Sequence, residues 1–149
     1  MRILVDADAC PGKDIIENVA SNNNIEVIMY CDINHILNSN YSTVKYVDSG
    51  FQSVDIILIN EVKNNDIVVT QDYGVAAMAL GKKAYAVNPK GYIYDNGNID
   101  RLLFERHMSQ KIRRSGGKTF NPKKRSQKDD DRLKNSLIKL VNNYKNTIT

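Results

Sequence analysis

The chain has 149 residues, 42% hydrophobic and 26% charged, with no tryptophan and only two cysteines. That length fits one domain, residues 1–149, with a real core. It excludes a disulfide framework and, with His35 and His107 far in sequence from Cys10 and Cys31, a zinc site. No apolar run approaches the ~20 residues needed to span a bilayer, and Asp6 and Asp8 interrupt the N-terminus. The expectation is a protein of the cytoplasm without membrane contact.

In chain order, residues 2–6 read as a strand whose apolar run, Ile3-Leu4-Val5, stops on Asp6-Ala7-Asp8-Ala9-Cys10-Pro11. Residues 11–23 read as a helix with Pro11 in its first turn and Ile15, Ile16, Val19 and Ala20 on one face. Strands are expected at 25–30 and 43–47, separated by an Asn-rich piece that could hold a short helical turn. Residues 53–63 read as a helix carrying Val54, Ile57, Leu58 and Val62 on one face. A strand at 67–70 follows, then a short helix over 72–80 that Gly81 ends, and a strand at 84–87. This alternation predicts an α/β fold of three layers, α/β/α, around a mostly parallel sheet.

Beyond residue 88 the pattern changes. Asn88-Pro89-Lys90-Gly91 is a turn, Tyr92–Tyr94 a short edge strand, and 98–114 a helix opened by Asn98. Residues 115–128 lack periodicity and read as a mobile basic loop. A C-terminal helix over 129–146 carries Leu133, Leu137, Leu140, Val141 and Tyr144 as one stripe. The net charge of +4 is uneven: residues 111–128 hold eight Lys or Arg and no acid, so the rest of the chain is net −4. A basic segment on a weakly acidic body points to an anionic partner, against the plain alternative of a solvated linker.

Strands in open α/β sheets deliver ligand-binding residues at their carboxyl ends. The apolar run of the first strand stops on Asp6 and Asp8, and a period-two reading puts both on the same side. Asp72 follows the strand at 67–70, and Asp55 opens the helix at 53–63. The structural alternatives are ordinary: Asp72 and Asp8 as helix caps, Asp6 as a buried acceptor, Asp55 as a favourable dipole charge. Asp48, Glu61, Asp66 and Asp95 are weaker candidates. Hard oxygen ligands at one edge suit Mg²⁺ or Mn²⁺ and chemistry on a phosphodiester. Cys10 has no histidine nearby in sequence to activate it, and no glycine-rich phosphate fingerprint occurs.

With these residues in view, the chain resembles the YaiI/YqxD family of small bacterial proteins over nearly its whole length. The resemblance rests on Val5-Asp6-Ala7-Asp8-Ala9-Cys10-Pro11, Asp55, Asp66-Ile67-Val68-Val69-Thr70-Gln71-Asp72-Tyr73, and Asn88-Pro89-Lys90-Gly91. Arg106, Arg114 and the Gly117–Pro122 segment complete it. That family is similar to PIN-like and NYN-like nuclease domains. The resemblance implies a PIN-like domain with an acidic metal site at Asp6, Asp55 and Asp72, and Asp8 close by.

The leading expectation is a metal-dependent nuclease acting on RNA. Mg²⁺ or Mn²⁺ would sit on Asp6, Asp55 and Asp72, and Lys90, Arg114, Lys123, Lys124 and Arg125 would contact phosphates. Two alternatives stand beside it. One is a haloacid-dehalogenase-like phosphatase with Asp6 as nucleophile and Asp8 as acid–base, against which Pro11 leaves little room for a flap insertion. The other is a nucleic-acid-binding module without catalysis, acting through residues 111–128.

Overall fold

The structure is a computed structural model, and it describes residues 1–48, 50, 52–117 and 123–148. Six strands form one sheet: β1 (Arg2–Asp6), β2 (Glu26–Asp32), β3 (Thr43–Val47), β4 (Ile67–Val69), β5 (Tyr85–Val87) and β6 (Ile93–Tyr94). Their spatial order is β3-β2-β1-β4-β5-β6. All pairings are parallel except β5 with β6, which is antiparallel. The central strands are apolar throughout because both of their faces are covered. Ile3, Leu4, Val5, Ile67, Val68 and Val69 are all fully buried.

Successive strand residues point to opposite faces, and this splits the core in two. On one face Ile3, Val5, Val27, Met29, Ile67 and Val69 pack with α1 (Lys13–Asn22) and α5 (Gln127–Ile148). On the other, Leu4, Ile28, Tyr30, Val68 and Ala86 pack with α2 (Val54–Glu61), α3 (Tyr73–Gly81) and Ile99, which opens α4 (Ile99–Arg114). The result is the three-layer α/β/α arrangement expected from the alternation. The stripe of α5 is borne out: Leu133, Leu137, Leu140 and Val141 are buried against α1.

Several boundaries differ from the sequence reading. Pro11 is not in the first turn of α1. Gly12, at φ +84°, caps that helix, which begins at Lys13. A non-glycine residue is disfavoured there, and an added Cβ would meet Arg125 Nη2 at 2.8 Å and Leu133 Cδ2 at 2.9 Å. The segment between β2 and β3 holds no helix among its residues. It turns at Asp32, whose carbonyl accepts from His35 N. α5 starts at Gln127, two residues before the expected 129, so 127–128 are helical rather than loop. Residues 118–122 of the expected mobile loop lie outside the described residues.

The loop 88–91 is a seat for α5. Asn88 Oδ1 accepts from Lys90 N at 2.8 Å and closes the turn. Carbonyls of three successive residues then face the helix or its approach. Pro89 O accepts from Arg125 Nη1 at 2.8 Å, Lys90 O from Arg132 Nη1 at 3.0 Å, and Gly91 O from Ser136 Oγ. No helix among the described residues is long and apolar enough to cross a membrane.

Candidate active site at the carboxyl edge of the sheet

The strand order reverses between β1 and β4, the place where open α/β sheets open a crevice at their carboxyl edge. Asp6 is the last residue of β1. The residues after β4 are Thr70, Gln71 and Asp72, which cross the same edge. Thr70, which the sequence reading passed over, ties the two together. It is fully buried, its hydroxyl donates to Asp6 Oδ2 at 3.4 Å, and its Oγ1 accepts from Asp72 N at 3.0 Å. Its carbonyl accepts from the Tyr94 hydroxyl at 3.1 Å. A hydroxyl in a hydrophobic run at the end of a strand was the available signal.

Asp72 is the N-cap of α3: its Oδ1 accepts from Gly74 N at 2.8 Å and Val75 N at 3.2 Å. The capping alternative therefore holds, and the cap also fixes the carboxylate at the rim. Arg106 of α4 reaches the same oxygen, with Nη1 at 3.7 Å. Asp55 sits in the first turn of α2, whose N-cap is Ser53. Asp8 is not on the strand. β1 ends at Asp6 and Ala7–Ala9 form a 3-10 turn, so the period-two premise fails there. Asp8 accepts from Asp32 N at 3.1 Å through both oxygens and lies 3.3 Å from His35 Nδ1.

These acids share one electrostatic neighbourhood. The Asp6 carboxyl is pushed up to about 6, first by burial and then by the charges of Asp55, Asp8 and Asp72, while the Thr70 hydrogen bond opposes the rise. Cys10, by contrast, is raised to about 11 by burial, which removes it as a thiolate nucleophile at neutral pH. Among the described residues no three His, Cys, Asp or Glu side chains converge closely enough to hold an ion by protein ligands alone.

The raised carboxyl has a consequence for stability. Between about pH 4 and 6 folded Asp6 keeps a proton that the unfolded chain has released, so stability falls as pH rises through that window. Asp6→Asn is expected to stabilise the protein by about 1 kcal/mol at pH 7.5, after discounting for solvent screening of a half-buried group. The gain should fade toward pH 4. Urea unfolding of both proteins across this range checks it; a gain independent of pH would contradict the assigned cause.

A cleft of about 740 Å³ opens beside Asp6 and Asp72, walled by Gln71, Tyr73 and the α4 residues Glu105, Arg106, Ser109, Gln110 and Arg113. Arg106 is the one that reaches Asp72, and both arginines line this cleft, whereas Lys90, Arg114, Lys123, Lys124 and Arg125 do not. Arg113 counted only as part of the basic run, and Arg106 only within the family resemblance. Of the expected contacts, Lys123 and Lys124 are exposed and Arg114 lies in the exposed last turn of α4. Lys90 Nζ donates to Lys123 O at 3.2 Å, and Arg125 Nε pairs with Asp130 at 2.7 Å. Lys90 and Arg125 thus fasten the α5 seat. Asp66 is also structural: it is buried at the opposite end of the sheet, bound to Arg2.

Fold and site define an α/β protein with clustered carboxylates at the switch point of its sheet and an arginine-lined cleft beside them. The chain belongs to the uncharacterised YaiI/YqxD family, whose model matches residues 4–143. It is 72% identical over 145 residues to a UPF0178 protein of Clostridium tetani, covering 97% of this chain and 99% of that one. A UPF0178 protein of Clostridium kluyveri is 68% identical over 145 residues, covering 97% and 95%. One of Ruminiclostridium cellulolyticum is 57% identical over 141 residues, covering 95% and 92%. No solved structure matches this chain.

Proposed function

We propose that this protein is a divalent-metal-dependent nuclease acting on RNA, with Asp6 at the centre of its site and Asp55, Asp72 and Asp8 around it. The observation that carries the reading is the Asp6 carboxyl itself. It is half-buried, crowded by three other carboxylates and raised to about 6, while a cleft with two guanidinium groups opens alongside. Crowded carboxylates are costly without a cation, and the arginines suit a phosphate chain.

The donor set fits Mg²⁺ or Mn²⁺ in a particular way. Carboxylate oxygens are the right chemistry, but three do not close on one point among the described residues. Mg²⁺ commonly sits on one or two carboxylates, keeps several waters and shares substrate phosphate oxygens. Asp6, Asp55 and Asp72 would supply those carboxylates, with Mg²⁺ or Mn²⁺ bound together with the substrate. Such an ion, when bound, activates water and neutralises charge on a phosphodiester.

The chain's own residues do the rest. Arg106 and Arg113 hold phosphate oxygens across from the acids, with no reading of base edges required. Asp72, fixed by its two cap hydrogen bonds, keeps its carboxylate at a constant position on the rim. Thr70 donates to Asp6 Oδ2 and so orients the carboxylate that would hold the ion. Asp8 is occupied by Asp32 N and His35, which favours this reading over the phosphatase one, where it would act as acid–base. The preference for RNA comes from the family resemblance to PIN-like and NYN-like domains.

The test is cleavage of single-stranded and structured RNA, with DNA of matching sequence, in Mn²⁺ or Mg²⁺. Asp6→Asn and Asp72→Asn should each lower the rate by about 10²-fold or more, and Arg106→Ala by about tenfold with a raised KM. A wild type that leaves the whole panel intact, or cleavage equal in all four proteins, overturns the proposal.

A further inference from the structure

Helix α4 is unusual for a helix of a packed domain. Only Ile99 of its residues is buried. Phe104, Met108 and Ile112 are 63%, 39% and 43% exposed. Spaced by four, they form one stripe at 100° per residue. That stripe lies on the side opposite to Ile99, Leu103 and Arg106, so it faces away from the body of the protein. Large apolar side chains aligned in solvent in this way mark an interaction surface.

A complementary feature lies on the same chain. α2 and α3 leave between them a groove of about 570 Å³, lined by Ile56, Ile59, Asn60, Ala77 and Met78. Ile56 and Met78 are 51% and 57% exposed. Asp55 in the first turn of α2 and Asp72 at the N-cap of α3 stand at one end. The lining contains two acids and no base. The last turn of α4 carries Lys111, Arg113 and Arg114 and no acid.

We propose that the Phe104–Met108–Ile112 stripe of one copy seats in the α2–α3 groove of a second copy of this chain, reciprocally, to form a homodimer. A helix laying an apolar face into an apolar groove is a common recognition mode. The charges select the occupant and its direction. The groove has Asp55 at one end and no base in its lining, which suits a helix whose end is basic. Aligning that end with Asp55 brings Lys111 of the second copy to the open end of the groove. Arg106 and Arg113 lie on the other side of α4, so the cleft of each copy keeps its own wall. This inference does not rest on the nuclease reading.

The test is light scattering of the full chain over about 1 to 100 µM, where a reversible dimer reveals itself by mass action. The expected mass approaches twice 16.9 kDa. Met108→Glu and Met78→Glu should each weaken the dimer by about tenfold or more. Both residues are exposed, so circular dichroism should stay unchanged. Mixing Met108→Cys with Met78→Cys under mild oxidation should give a disulfide-linked heterodimer, which neither protein gives alone. A monomer at every concentration overturns the proposal, as does a dimer indifferent to both glutamates. Cross-linking of Met108→Cys only with itself overturns it in favour of helix pairing. A monomer whose Met108→Glu variant loses retention of RNA overturns it in favour of nucleic acid on the stripe.

Discussion

Gly91→Ala is expected to destabilise the protein by about 2–5 kcal/mol, adding the strain of a left-handed alanine to that of an overpacked contact. Gly91 has φ +90°, and a Cβ there would fall inside the backbone of Arg132 and Leu133 and within 2.8 Å of Arg132 Cγ. The helix cannot step back without loss. Leu133 and Leu137 are fully buried against α1, and Lys90 O and Gly91 O both accept from α5 side chains. The Arg132 guanidinium also lies over the Tyr92 ring at 4.3 Å. Gly116 supplies the control, having φ +82° but nothing within 4 Å of an added Cβ. Gly116→Ala should therefore cost about 1 kcal/mol, the conformational part alone. Urea unfolding of the two variants separates the contributions, and an equal loss would show that the close approach of α5 does not matter.

Asp66→Ala is the second large loss, expected at about 3 kcal/mol, within the range for breaking a buried pair and lowered for the partial exposure of Arg2. Asp66 is 3% exposed and accepts from Arg2 N at 3.1 Å, Arg2 Nε at 3.3 Å, Arg2 Nη2 at 2.7 Å and Lys63 N at 2.9 Å. Arg2 Nη2 also donates to Glu61 O at 2.9 Å. One carboxylate thus joins the start of β1, the end of α2 and the approach to β4. Removing it strands two backbone N–H groups and leaves the guanidinium with the Glu61 carbonyl. Replacing both partners, as Arg2→Met with Asp66→Leu, should recover part of the loss. Thermal unfolding of the single and double variants decides this, and a double variant no better than Asp66→Ala would argue against stranded donors as the cause.

These two positions clarify how family motifs divide between stability and chemistry. The string from Asp66 to Tyr73 spans β4, with a structural acid at its amino end and the capping Asp72 at its carboxyl end. The string from Asn88 to Gly91 carries Lys90, an expected phosphate contact, yet its backbone carbonyls hold α5 and its approach. Asp6 and Asp66 are both acids beside central strands. Asp66 meets an arginine and is neutralised; Asp6 meets other acids and is pushed up to about 6. Charge in the neighbourhood, rather than residue type, separates scaffold from candidate site.

Much of this was legible in the sequence because it depends on short-range periodicity. Runs such as Ile67-Val68-Val69 are apolar at every position only because both faces are covered, and α5 repeats leucine at helical spacing. The acids at strand ends were legible for the same reason, since a strand that stops on a carboxylate places it at an edge. The period-two rule misplaces Asp8 because it is carried two residues past the end of β1, into a 3-10 turn where it does not hold. Pro11 was misplaced because Gly12, in a left-handed conformation, starts α1 instead.

By itself, then, the sequence determined the elements, the layers they build and the ends of β1 and β4 as the places where carboxylates gather. The tertiary structure alone decided that these two strands are neighbours at the point of reversal, that Thr70 bridges Asp6 to Asp72, and that Arg106 and Arg113 wall the cleft. It alone showed the Phe104 stripe facing outward and the acid-ended groove between α2 and α3. The physical reason is range. Periodicity and capping are set within a few residues, whereas strand order and the faces left uncovered depend on contacts between residues dozens of positions apart.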